Sequence, residues 1–151
     1  MNLNNGNTNN NTKNTLNAVR CVRRENALRP KLSYMTKPDD LPLYLAVYKL
    51  LLYLYILVSN FPKSYKYSLG RDILDLAWKT LDYIILANSL SNKEKPKVIL
   101  NASVAFDKLK IRLRLAHEIK LVNHKRQAFL IEGNEEIGKM LTGWYKWAKR
   151  T

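Results

Sequence analysis

The chain has 151 residues, enough for one domain with a buried core, and its 26 Lys and Arg against 12 Asp and Glu leave a formal charge of +14. Residues 41–151 hold 19 of the basic and 9 of the acidic side chains, so this part alone carries +10. A fold does not need such an imbalance, because self-repulsion opposes compaction; it points to a polyanionic partner, of which nucleic acid is the commonest. A single cysteine, Cys21, excludes a disulfide framework and a cysteine-based zinc site.

Residues 1–40 differ from the rest. Nine of the first 17 are Asn, a composition with too little apolar surface for a core, so an Asn-rich, disordered extension is expected. Ala18 to Arg24 then alternates apolar and basic residues, and Pro30, Pro38 and Asp39-Asp40 punctuate the approach to the first regular element. The start shows no charged-then-apolar signal segment, which makes the cytoplasm the expected compartment.

Residues 41–151 read as four helices. The first is expected from about Leu41 to Asn60, with Pro42 in its first turn, Asp39-Asp40 capping it, and Phe61-Pro62-Lys63 ending it. Leu41–Val58 is apolar apart from Lys49 and four tyrosine hydroxyls. A membrane span wants about 20 apolar residues and resists a central Lys; a helix buried on two sides explains the run better, and no membrane association is expected. The second helix is expected from Ser64 to about Leu90, Gly70 marking close packing. After a turn at Ser91-Asn92-Lys93, the third runs from Lys95 to about Val122 with Pro96 in its first turn. The fourth spans His124 to Lys149, Gly133-Asn134 being a weak point. No segment sustains strand alternation, and loops of a few residues imply an all-α, up-down-up-down four-helix bundle.

Plotted at about 100° per residue, the third helix carries two apolar stripes. Val98, Ala102, Ala105, Leu109, Leu113 and Ala116 form a core stripe. Leu100, Val104, Ile111, Leu115 and Ile119 form a second one, where a monomeric bundle needs only one. The first helix, with Tyr48 on it, has the same excess. A subunit interface of a homo-oligomer accounts for both better than scattered exposed aliphatics do. Between the stripes Ser103, Lys110, Arg114 and His117 make a polar row, with only Asp107 and Glu118 nearby to offset its charge. A solvated face is the bland reading of such a row; phosphate binding needs little more than clustered cations. Lys63, Lys66 and Lys120, with Lys125 and Arg126, extend the candidate nucleic-acid surface. Tyr44, Tyr48 and Tyr55 share a face, and Trp144 and Trp147 are three apart, spacings that favour packing over base stacking.

Catalytic patterns are missing. His117 and His124 are seven apart with no further ligand at metal spacing, and Asp72, Asp75 and Asp82 line an edge rather than converge. There is no phosphate-binding Gly loop, nucleophile elbow or zincin motif. A non-enzyme without cofactor or metal is expected. Asn101-Ala102-Ser103 matches a glycosylation sequon but falls mid-helix.

Residues 41–149 resemble Avd, the accessory variability protein of diversity-generating retroelements, within a wider group that includes four-helix proteins encoded in ribosomal RNA intervening sequences. The resemblance rests on Phe61-Pro62-Lys63, Leu69-Gly70-Arg71, Lys110 with Leu113-Arg114, the run Glu136 to Leu141, and Gly143-Trp144. It implies a homopentameric, barrel-like assembly without catalysis of its own. Such an assembly binds a reverse transcriptase and RNA or DNA to support mutagenic copying of a template repeat. Lys110 and Arg114 match the family's basic row; His117 and Lys63 are added from charge and geometry. The alternative is an interaction protein of the intervening-sequence type with no reverse transcriptase partner. Asn2 to Asn11 leading into Val19–Arg23 looks like the Asn-dense end of a retroelement's variable target protein. Residues 1 to about 24 are therefore read as a template repeat translated in frame, with an ordinary low-complexity tail as the competing reading.

Overall fold

The computed structural model describes residues 41–151; the expectations for residues 1–40, including the Asp39-Asp40 cap and the Asn-rich extension, lie outside the described residues. Five helices follow in order: α1 (Pro42–Ser59), the single turn α2 (Lys63–Lys66), α3 (Leu69–Ser89), α4 (Lys95–Glu118) and α5 (His124–Arg150). No strand occurs among the described residues. The four long helices pack as a ring, α1 on α3, α3 on α4, α4 on α5 and α5 back on α1. Short turns between neighbours make successive helices antiparallel, so the four-helix bundle expected from the sequence is the one observed. The turns at 60–68 and 119–123 therefore share one end.

α1 starts where Pro42 fixes a helical φ at a position whose N–H would be unpaired anyway. Its cap residue is Leu41, which provides no side-chain cap bond. It ends as Ser59 Oγ and Asn60 Nδ2 both donate to the carbonyl of Ile56, at 2.7 and 2.9 Å, before Pro62. By length and composition α1 is apolar enough to cross a membrane. Leu43, Val47, Leu50, Leu51, Leu54, Leu57 and Val58 lie in the bundle core, while Leu45, Tyr48, Leu52, Tyr55 and Ile56 are exposed. Within the single chain the helix is thus buried on one side, and the surplus apolar face expected from the sequence is the exposed one.

The expected second helix is split. Ser68 leaves helical geometry at φ −109°, ψ −90°, and its hydroxyl donates to the Ser64 carbonyl at 2.9 Å, the local competition that makes Ser a helix interrupter. The bend lets Gly70 press against the end of α1. A Cβ there would stand 2.6 Å from Val58 Cγ1 and 3.4 Å from the Tyr65 carbonyl oxygen. Gly70 therefore marks the close approach that the sequence suggested.

α4 ends four residues short of the expected Val122. Lys120 takes a left-handed φ of 64°, the Lys120 N–H donates to His117 O at 3.0 Å, and the Leu121 N–H donates to Ala116 O at 2.9 Å. These two bonds are a Schellman stop, in which Gly usually holds the left-handed position. The turn buries Val122. Asn123 then caps α5, its Oδ1 accepting from the Arg126 N–H at 2.8 Å. α5 runs unbroken through Gly133-Asn134, so no weak point interrupts it.

Along α4, Ala102, Ala105, Leu109, Leu113 and Ala116 are buried as expected, Val98 is half-buried, and Ile99 and Phe106 complete the core stripe. Thr80 is the one polar side chain buried among the described residues, and it donates to Leu76 O at 2.8 Å. A smaller apolar cluster of Ala87, Ile99 and Ala148 closes the far end.

Candidate nucleic-acid interface

The α4–α5 seam opens into a groove of about 630 Å³. Lys110, Leu113, Arg114, His117 and Glu118 line it from α4; His124, Gln127, Ala128, Ile131, Asn134, Glu135 and Gly138 line it from α5. The row Lys110, Arg114, His117 is thus brought together as one wall. Lys63 and Lys66 sit apart from it, in α2 at the same end of the bundle. Lys120 forms the Schellman position and does not line the groove. The six expected contacts therefore form a three-residue wall and three basic residues at the adjoining end.

Each member of the wall already has a partner. Lys110 Nζ lies 2.7 Å from Asp107 Oδ1 and over the Phe106 ring. Arg114 Nε donates to Glu118 Oε1 at 3.0 Å, with side chains 78% and 58% exposed. Ion pairs this exposed contribute about 0–1 kcal/mol, so a phosphate can displace the carboxylates at little cost. His117 Nδ1 is 2.9 Å from the Val122 carbonyl. A carbonyl only accepts, so Nδ1 is the donor in this bond. This bond ties the end of α4 to the turn, which gives His117 a structural role beside any contact with ligand.

His124 meets His117 edge-on at 4.9 Å between ring centres. A break does intervene between the two residues, yet the antiparallel return of α5 brings the rings together across it. Among the described residues no group of three His, Cys, Asp or Glu could hold a metal ion. Sequence reading missed His124, Gln127, Asn134 and Gly138 as members of the site. Their signal was legible: His124, Gln127, Ile131, Asn134 and Gly138 recur at spacings of three and four, the period of a face turned to another helix, yet most are polar or small.

A family model described as bAvd-like matches residues 44–148, covering nearly all of the bundle. The chain belongs to the bAvd-like family. No match was found among curated proteins or solved structures. The match spans both walls of the groove and every residue of the basic row.

The surplus apolar residues of this bAvd-like bundle all reach the surface. Leu100, Val104, Ile111 and Leu115 are exposed on α4, Ile111 by 64%, as are Ile119 just past its end and Tyr48 on α1. Tyr44 and Tyr48 stack with ring centres 6.0 Å apart. Trp78 Nε1 donates to the Tyr55 hydroxyl at 3.0 Å, joining the α1 face to α3. Trp144 is packed against the core, while Trp147 is exposed with Lys95 Nζ 5.7 Å from its ring centre. α1 and α4 stand at diagonal corners of the ring of helices, and exposed apolar side chains also occur on α3 at Trp78, Ile85 and Leu86.

Proposed function

We propose that this protein is a non-catalytic accessory factor of a diversity-generating retroelement, a homo-oligomer that holds RNA or DNA and the reverse transcriptase during mutagenic copying of a template repeat. The observation that carries the reading is the bAvd-like match across the bundle, on a chain whose residues 41–151 carry +10. The basic wall of Lys110 and Arg114, weakly paired and solvent-exposed, supplies the phosphate contacts; Lys63, Lys66 and Lys120 add positive potential at the adjoining end. The exposed apolar stripes on two diagonal helices, α1 and α4, suit a head-to-tail contact, one stripe of each copy on the other stripe of the next. Such contacts close into rings when the rotation permits, in keeping with a pentamer.

The test pairs fluorescence anisotropy on a labelled polynucleotide with mass measurement by light scattering. The wild-type protein should bind as an oligomer, with affinity falling steeply as salt rises. Lys110→Glu with Arg114→Glu should lower affinity at least ten-fold while the oligomer mass is unchanged. Binding unaffected by the double reversal sinks the site assignment, and a wild type that binds no polynucleotide sinks the reading. Co-purification with a retroelement reverse transcriptase, or its failure, separates this function from that of an intervening-sequence protein.

A further inference from the structure

The groove behind the basic wall holds two anomalies. Gln127 and Asn134 line the groove as half-buried side chains, and their Oε1 and Oδ1 atoms, themselves shielded, have no hydrogen-bond partner within the protein. Amides that find no partner within the protein leave hydrogen-bonding capacity at the groove for a polar ligand. Whichever way round each amide is placed, it presents one donor and one acceptor side by side.

From this we infer that the groove takes an unpaired nucleobase, so that the protein selects single-stranded over duplex nucleic acid; the inference rests on the nucleic-acid reading above. A side-chain amide matches the adjacent donor and acceptor on a base edge. In a single strand those edges are free, and unstacked bases also lie on imidazole rings and guanidinium planes, which His117, His124 and Arg114 supply at the groove wall. The His117–His124 contact sets the register of the two helices, putting Gln127 level with Arg114 and Asn134 within a turn of the level of Lys110. A strand whose phosphates rest on Lys110 and Arg114 thus has its bases turned toward the amides. Other occupants fit less well. A free phosphate would engage Lys110 and Arg114 but, having no proton to spare, would leave both amide oxygens without a donor, and an apolar helix would leave both amides without partners. In a duplex only the groove edges of the bases stay open, and the bases are stacked and paired between two backbones, so none can enter the groove without being unstacked.

Gly138 makes the inference testable without touching charge. A Cβ there meets nothing within 4 Å, so Gly138→Leu fills the groove at no expense to the core. Labelled single-stranded oligonucleotides and the corresponding duplex are titrated by anisotropy at one salt concentration. The wild type should favour the single strand by about ten-fold. Gln127→Leu with Asn134→Leu, and separately Gly138→Leu, should each erase the preference while leaving duplex affinity and its salt dependence as they were. Equal binding of both forms by the wild type, or a preference that survives in both variants, overturns the inference and leaves the proposed function standing. Failure of the wild type to bind either form would instead strike the proposed function.

Discussion

Helices α3 and α5 lie diagonally across the bundle and put their surfaces to opposite uses. α3 buries eight of its 21 residues, from Gly70 to Ala87. α5 buries four of 27: Leu130, Ile137, Leu141 and Ala148. Glycine shows the contrast most clearly. The one glycine of α3 is pressed against Val58, whereas Cβ atoms at Gly133, Gly138 and Gly143 of α5 would meet nothing within 4 Å. The α4–α5 groove, a groove of about 300 Å³ against α1 at Ala46, Lys49 and Leu50, and an open hollow at Lys139 and Lys146 all border α5. One residue type thus marks two things: at Gly70 room taken by the fold, along α5 room left for something else.

The largest effect that should sharpen this contrast comes from cutting the core on each side. Ile84→Ala on α3 and Ile137→Ala on α5 both remove a fully buried side chain, for which about 2–5 kcal/mol is usual. Ile84 should fall in the upper half of that range. Ile137 borders the groove against α1 and should fall in the lower half, because the space it leaves opens onto one already there. Urea unfolding of the two variants measures the difference; equal losses would mean that α5 is packed as tightly as α3.

Glycine gives a smaller effect with opposite signs. Gly70→Ala must move Val58 or the start of α3 and should destabilise by about 1–3 kcal/mol. Gly138→Ala has open space and a helical backbone, and should stabilise by about 0.5–1 kcal/mol. Thermal melts followed by circular dichroism decide the sign, and a destabilising Gly138→Ala would break the comparison outright. The smallest change concerns the stop that leads into α5. Lys120 holds a left-handed φ that is costly to a side chain with a Cβ, so Lys120→Gly should gain about 0.5–1 kcal/mol. A midpoint lower than wild type would show that the Lys120 side chain contributes more than its backbone strain removes.

Much of the bundle was legible because its signals are local. Pro42 and Pro96 open their helices at the first turn, Phe61-Pro62 closes α1, and the period of Ala102, Leu109, Leu113 and Ala116 identifies the buried side of α4. Two boundaries were missed for reasons that lie in single residues. Ser68 interrupts by an ordinary hydroxyl bond, and Lys120 occupies a position where Gly would have announced the stop. The site was half legible. Lys110, Arg114 and His117 are neighbours on one helix, so spacing alone united them. Gln127 and Asn134 join them only across a seam, and the width of that seam depends on how α5 packs, which no local pattern states. The exposed stripe on α4 was read directly, since an apolar residue opposite a core stripe has nowhere to go but outward.

The placement of α1 and α4 at diagonal corners has a further consequence for assembly by these faces. Were the two stripes parallel, copies would stack along a straight line without limit. Any wedge angle between them bends the line, and the size of that wedge fixes how many copies complete the circle. The packing of the intervening α3 and α5 sets the wedge. Substitutions in the bundle interior, remote from either stripe, can therefore change the number of copies without weakening a single contact between them.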